Sequence, residues 1–120
     1  MTGMPYPDFL NAIIDDGENE VRERFAAKPH QYLRKDGALE GFRICRGKAP
    51  EELAAALDEA RARRETAQRT RAPDYWFWRE RENQIEWVMG VMSAAFYSNG
   101  HPAFTDIYAS HVRKAAMILE

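Results

Sequence analysis

The sequence predicts a mainly α protein: a small single-domain helical bundle of about four main helices, with an irregular or short hairpin segment between the first two. Three observations predict it. Ala, Leu, Glu, Arg, Lys, Met and Gln make up about half of the 120 residues; these side chains lose little entropy in a helix. The stiffer β-branched residues number only 14. Apolar residues recur at helical spacing along most of the chain, and Pro, Gly and Asp punctuate it where helices start and stop. The 14 aromatic residues argue against disorder, which lacks such burial.

The length fits one domain, 1–120, with an N-terminal tail at 1–6 and a poorly defined connection at 28–48. A single cysteine excludes an intrachain disulfide and suits a reducing cytoplasm. No apolar run approaches the ~18–20 residues of a membrane span. The first residues have neither the basic nor the apolar region of a secretory leader. Thr2 does not suit myristoylation, which needs Gly there. A net charge of −2 gives no global attraction to nucleic acid or anionic lipid.

The first helix is predicted to start at Pro7, preset for a first helical turn, with Asp8 behind it. Phe9, Leu10, Ile13, Ile14, Val21 and Phe25 fall within an arc of about 160° on a helical wheel. Gly17 lies mid-arc. It either breaks the helix after Asp15-Asp16 or lets another backbone approach one continuous helix to about residue 27. The apolar phase survives across it, which favours continuity. Residues 28–48 read poorly: Pro29 can open a short helix closed by Gly37, or Asp36-Gly37 can turn a hairpin. Irregular and short helical structure is the expectation there.

Pro50, Glu51 and Glu52 mark the next start. Leu53, Ala56, Leu57 and Ala60 form its apolar stripe, and the pattern runs on to Arg71 before Pro73. Asp74 caps a further helix. Over 85–96 the apolar arc widens to about 220°, leaving a polar strip of Glu82, Asn83, Glu86, Gly90 and Ser93; a helix so apolar is normally central. Asn99-Gly100 and Pro102 stop it. Thr105 caps a last helix with Ile107, Tyr108, Val112, Ala115, Ile118 and Leu119 on one face.

The scan for chemistry returns mainly absences. No Gly-rich phosphate loop, Cys-x-x-Cys pair, His-Glu-x-x-His or Gly-x-Ser-x-Gly occurs, and the Glu-x-x-His pairs of a di-iron bundle are missing. The acidic stretch from Asp15 to Glu20 lacks the glycine and twelfth-position carboxylate of a calcium loop and reads as a solvated helix face. His111, between Ile107 and Ala115, reads as a core or boundary histidine before a general base. His101 reads as a loop residue. Cys45 stands beside Arg46, and a neighbouring arginine can lower a thiol pKa; a small buried hydrophobe is the plainer reading, since no base is in view.

Two features stand out. Arg61, Arg64, Gln68 and Arg71 share an arc of about 80° that overlaps the earlier leucine line. Over 61–71 five arginines meet one glutamate. A buried arginine stripe is costly without partners, so this half is expected to project beyond the core; its functional reading is an anion- or acid-binding edge. Otherwise the arginines lie over neighbouring helices with their heads paired to acids such as Asp15, Asp16, Glu18, Glu20 and Glu23. The second feature is Tyr75-Trp76-Phe77-Trp78. Four consecutive rings on a helix point about 100° apart, so at least one should face solvent, a loop or another chain. Exposed Trp beside Arg is the composition of an interface hot spot and of a base-stacking platform. The alternative packs the rings under residues 28–48.

No catalytic, cofactor-binding or metal-ligating residue is predicted, and no cofactor. The expectation is a non-enzymatic helical protein-interaction or regulatory module, of a type common among bacterial and phage accessory proteins. Its surface would comprise Arg61, Arg64, Arg71, Tyr75, Trp76 and Trp78, and its partner a protein or a second copy. The alternative is nucleic-acid binding through the 61–71 stripe with Trp76 or Trp78 stacking. Against that stand the net negative charge and only four lysines. An enzyme using His111, His101 or Cys45 ranks third.

Overall fold

The computed structural model describes residues 4–96. Four helices pack together there and no strand occurs among the described residues, which gives the expected helical bundle. α1 (Tyr6–Arg24) has Pro in its first turn and Asp8 close behind, and it runs unbroken through Gly17. What approaches that glycine is a ring and not a backbone: Phe42 sits where a β-carbon would stand.

Residues 28–48 are not irregular and form no hairpin. Pro29 opens a single 3-10 turn, Pro29–Gln31, and α2 (Tyr32–Cys45) follows. Neither Gly37 nor Gly41 closes it. Both are buried against main-chain atoms of a later helix, so they permit close packing and terminate nothing. Gly47, at φ +70, makes the turn that follows.

α3 (Pro50–Arg69) begins as expected, with Pro in its first turn and Glu51 and Glu52 complementing the helix N-terminus. The Glu52 carboxylate also accepts the Ala49 N–H at 2.9 Å. The helix ends in a Schellman motif. The Arg71 N–H donates to the Gln68 carbonyl, the Ala72 N–H donates to the Ala67 carbonyl, and Arg71 takes the left-handed φ of +53. α4 (Tyr75–Phe96) starts directly after Asp74.

Contacts set the directions. Tyr6 Oη donates to the Lys48 carbonyl, and Arg46 reaches Asp15 and Glu18, so α1 and α2 are antiparallel. Arg63 lies over Trp78, and Glu59, a turn earlier in α3, meets Arg81, a turn later in α4, so α3 and α4 are antiparallel. Gly37 meets Phe77 and Gly41 meets Arg81, so α2 and α4 run parallel. They form the most extensive helix pair, with α3 packed chiefly on α4 and α1 chiefly on α2. One end of the bundle therefore gathers the α1–α2 connection, the α3–α4 connection and the aromatic start of α4.

The core is one cluster. Leu10 and Ile14 of α1, Phe42 and Cys45 of α2, Leu53 and Leu57 of α3, and Ile85, Val88 and Met92 of α4 are almost wholly buried. α4 is central, as its wide apolar arc implies, but its polar strip divides. Glu82 and Ser93 are buried, while Asn83, Glu86 and Gly90 are half-buried; Trp87, outside the strip, is 44% exposed. No helix of the described residues is long and apolar enough to cross a membrane. Asn99-Gly100, His101, the last helix expected from Thr105 and His111 lie outside the described residues.

Candidate interaction surface

The arginine line of α3 is drawn in at Arg64 and reaches solvent only further along, at Gln68 and Arg71. Ala67 is buried, and Arg64, on the same line, has a side chain only 17% exposed. Its Nε donates to the Glu82 carboxylate at 2.9 Å, and Nη1 donates to Gln68 Oε1 at 2.9 Å. The Glu82 side chain is 4% exposed and also faces Arg79 at 3.5 Å. A buried guanidinium is tolerable there because α4 supplies a buried carboxylate at the matching height. The acid comes from α4 and not from the acidic stretch of α1. Arg64 is therefore engaged within the fold.

The other predicted residues separate. Arg61 is half-buried, with no ion pair among the described residues. Arg71 is exposed and shares a shallow hollow with Ala67, Gln68, Ala72 and Tyr75. Tyr75 packs edge-on to Trp76 at 5.2 Å. Trp78 is half-buried, edge-on to Phe77 and flanked by the guanidinium groups of Arg63 and Arg81 at 5.5 and 5.4 Å. Arg81 pairs with Glu59, and its Nη1 is buried with no hydrogen-bond partner among the described residues.

Trp76 is the exposed ring of the four, at 48%. The Arg34 guanidinium lies over one face at 4.4 Å from the centroid. Arg34 is in turn fixed by Glu80, whose carboxylate accepts its Nε at 3.3 Å and Arg24 Nη2 at 3.5 Å. Glu80 is itself buried. Residues two apart on a helix point to nearly opposite sides, so Glu80 serves α1 and α2 while Glu82 serves α3.

Arg24, Arg34 and Glu80 thus stand under and beside Trp76, and the sequence reading does not single them out. Arg34 lay in the segment that was hardest to read. Glu80 carried a signal: a glutamate midway between aromatic residues and the apolar run of α4 invites a search for basic partners. Tyr32, 59% exposed, stands at the same end as the first residue of α2.

A second concavity, a groove of about 280 Å³, has Val21, Phe42 and Trp87 as apolar walls and Arg24, Asn83 and Gln84 among its polar lining. Phe42 meets Trp87 edge-on at 5.9 Å. Cys45 offers no nucleophile: it is buried in the core, and desolvation pushes its thiol up to about 12, far outweighing the pull of Lys48. The arginine effect expected from its neighbour does not reach it. Outside the core, the Arg43 guanidinium hydrogen-bonded to Glu40 holds that carboxyl below its ordinary value against the opposing effect of burial. Among the described residues no group of three or more His, Cys, Asp or Glu side chains could hold a metal. No family model matches the chain, and no curated protein or solved structure matches it either.

Proposed function

We propose that the protein is a non-enzymatic helical interaction module that docks a macromolecular partner through the arginine- and aromatic-rich end of the bundle centred on Trp76. The observation that carries this reading is the Trp76–Arg34–Glu80 arrangement. A large ring stays half-exposed, while the cation over one of its faces is held by a buried carboxylate. Holding the ring and its cation in advance lowers the entropy lost on docking. Trp and Arg are also the residues on which binding energy concentrates at interfaces. The proposed surface differs from the sequence expectation: Trp76, Tyr75 and Arg71 stay, Arg61, Arg64 and Trp78 leave it, and Arg24 and Arg34 join.

A photo-crosslinking side chain at position 76, compared with one at exposed Ala62 on the far flank of α3, tests this in the cell that makes the protein. Discrete adducts from position 76 and none from position 62 are expected. Equal yields at the two positions would overturn the assignment.

A further inference from the structure

We propose that the partner at this end is single-stranded nucleic acid, with Trp76 stacking a base and Lys28, Lys35 and Arg71 meeting its phosphates; this rests on the interaction surface just described. The chain's acidic excess does not reach this end. Residues 22–36 carry five Lys or Arg against two acids, and 69–79 carry three arginines against Asp74. The bundle topology brings these two segments together. Arg34 lies over Trp76, and Arg24 and Arg34 share Glu80 just beyond the second segment.

This end gathers most of the unspent positive charge. Lys28, Lys35, Arg69 and Arg71 make no ion pair among the described residues; elsewhere Arg64, Arg46 and Arg43 are paired, with Arg61 and Lys48 the exceptions. Exposed rings alternate with these free cations: Tyr32 follows Lys28, and Trp76 follows Arg71. Phosphates require cations spaced along a strand, and bases require only a ring face, because every base has a π-surface. An acidic protein segment would use the cations equally well but would seat its apolar anchor in a pocket. The hollow here is shallow, and the rings stand outside it. Duplex offers no unstacked base to a lone tryptophan.

Fluorescence anisotropy with a labelled 15-nucleotide single strand, the corresponding duplex and polyglutamate tests the assignment. The single strand is expected to bind tighter than the duplex. Its affinity should fall about twentyfold between about 50 and 200 mM salt, as three phosphate contacts imply. Trp76→Ala should weaken it about tenfold and Trp76→Phe much less. Lys28→Glu with Arg71→Glu, both at exposed positions, should flatten the salt slope to that of about one contact. Equal affinity for strand and duplex, with no effect of Trp76→Ala, would overturn the inference. So would polyglutamate binding without strand binding, which would leave the interaction surface standing with an acidic protein as its partner. If position 76 also gave no crosslink, both readings would fall.

Discussion

Gly37 lies against the main-chain carbonyl of Phe77 so closely that a β-carbon there would fall well inside van der Waals contact, and at Gly41 it would stand 2.7 Å from the Arg81 carbonyl oxygen. These glycines, four residues apart on one face, let the parallel helices α2 and α4 meet backbone to backbone. Main chain cannot rotate aside as a side chain can. Gly37→Ala is therefore expected to cost about 3 kcal/mol, at the upper end of overpacking effects, and to lower the urea midpoint. Gly90 is the control. It lies within α4 with nothing within 4 Å of a would-be β-carbon, so Gly90→Ala should raise stability by about 0.5–1 kcal/mol.

The Arg64–Glu82 pair gives a second expectation. Replacing Arg64 with Met strands a carboxylate whose side chain is 4% exposed, with only Arg79 at 3.5 Å left to answer it. A loss of about 2–3 kcal/mol follows, somewhat below the full cost of orphaning a buried charge because Arg79 persists. Changing Glu82 to Met as well removes the orphan, so the double variant should regain most of the loss. Urea unfolding of both single variants and the double closes the cycle. Additive losses would show that the pair is not coupled.

The helical architecture was legible because it rests on local signals. Pro50 with Glu51 and Glu52, Asp74, and the widening apolar arc of α4 each carry their meaning within a turn or two. α2 was obscured because its glycines are standard stop signals, and their role depends on a helix forty residues away. Only the Gly37-to-Gly41 spacing, with Ala38, Phe42 and Cys45 on the same side, held the helical period. The site was legible in part for a similar reason. Trp76 could be marked as a candidate for exposure from ring geometry on one helix. Whether Arg64 or Arg34 is free depends on which carboxylate lies opposite, and both answers, Glu82 and Glu80, sit on α4 where the sequence alone gives no sign that a carboxylate is buried.

Arg71 combines two roles that a single substitution can separate. Its left-handed φ of +53 closes α3 in a conformation that costs an L side chain about 1–2 kcal/mol and glycine almost nothing. Arg71→Gly is expected to raise stability by about 0.5–1 kcal/mol after allowing for the freer unfolded chain. It should also weaken oligonucleotide binding, because the exposed cation is lost. Thermal unfolding and anisotropy on the same preparation would register these opposite changes. A fall in stability would mean that the Arg71 side chain makes a contribution larger than its backbone strain.

Cys45 sets the alkaline limit of one contribution to stability. Its thiol has an ordinary value near 9.0 and is pushed up to about 12 in the fold by burial. The group is neutral in both states below about pH 9, so stability there is independent of it. Above that, the unfolded chain releases the proton while the folded one retains it. The fold then loses about 1.4 kcal/mol per pH unit from this residue until its own thiol ionises near 12. Other groups titrate in that window, so the quantity to measure is the difference from Cys45→Ala. The variant should be less stable at pH 7, having lost buried volume, and its deficit should shrink as pH rises from 9. In the wild type a disulfide exchange reagent at pH 8 should label Cys45 only at the rate of unfolding, and rapid labelling of the folded protein would place the thiol at the surface.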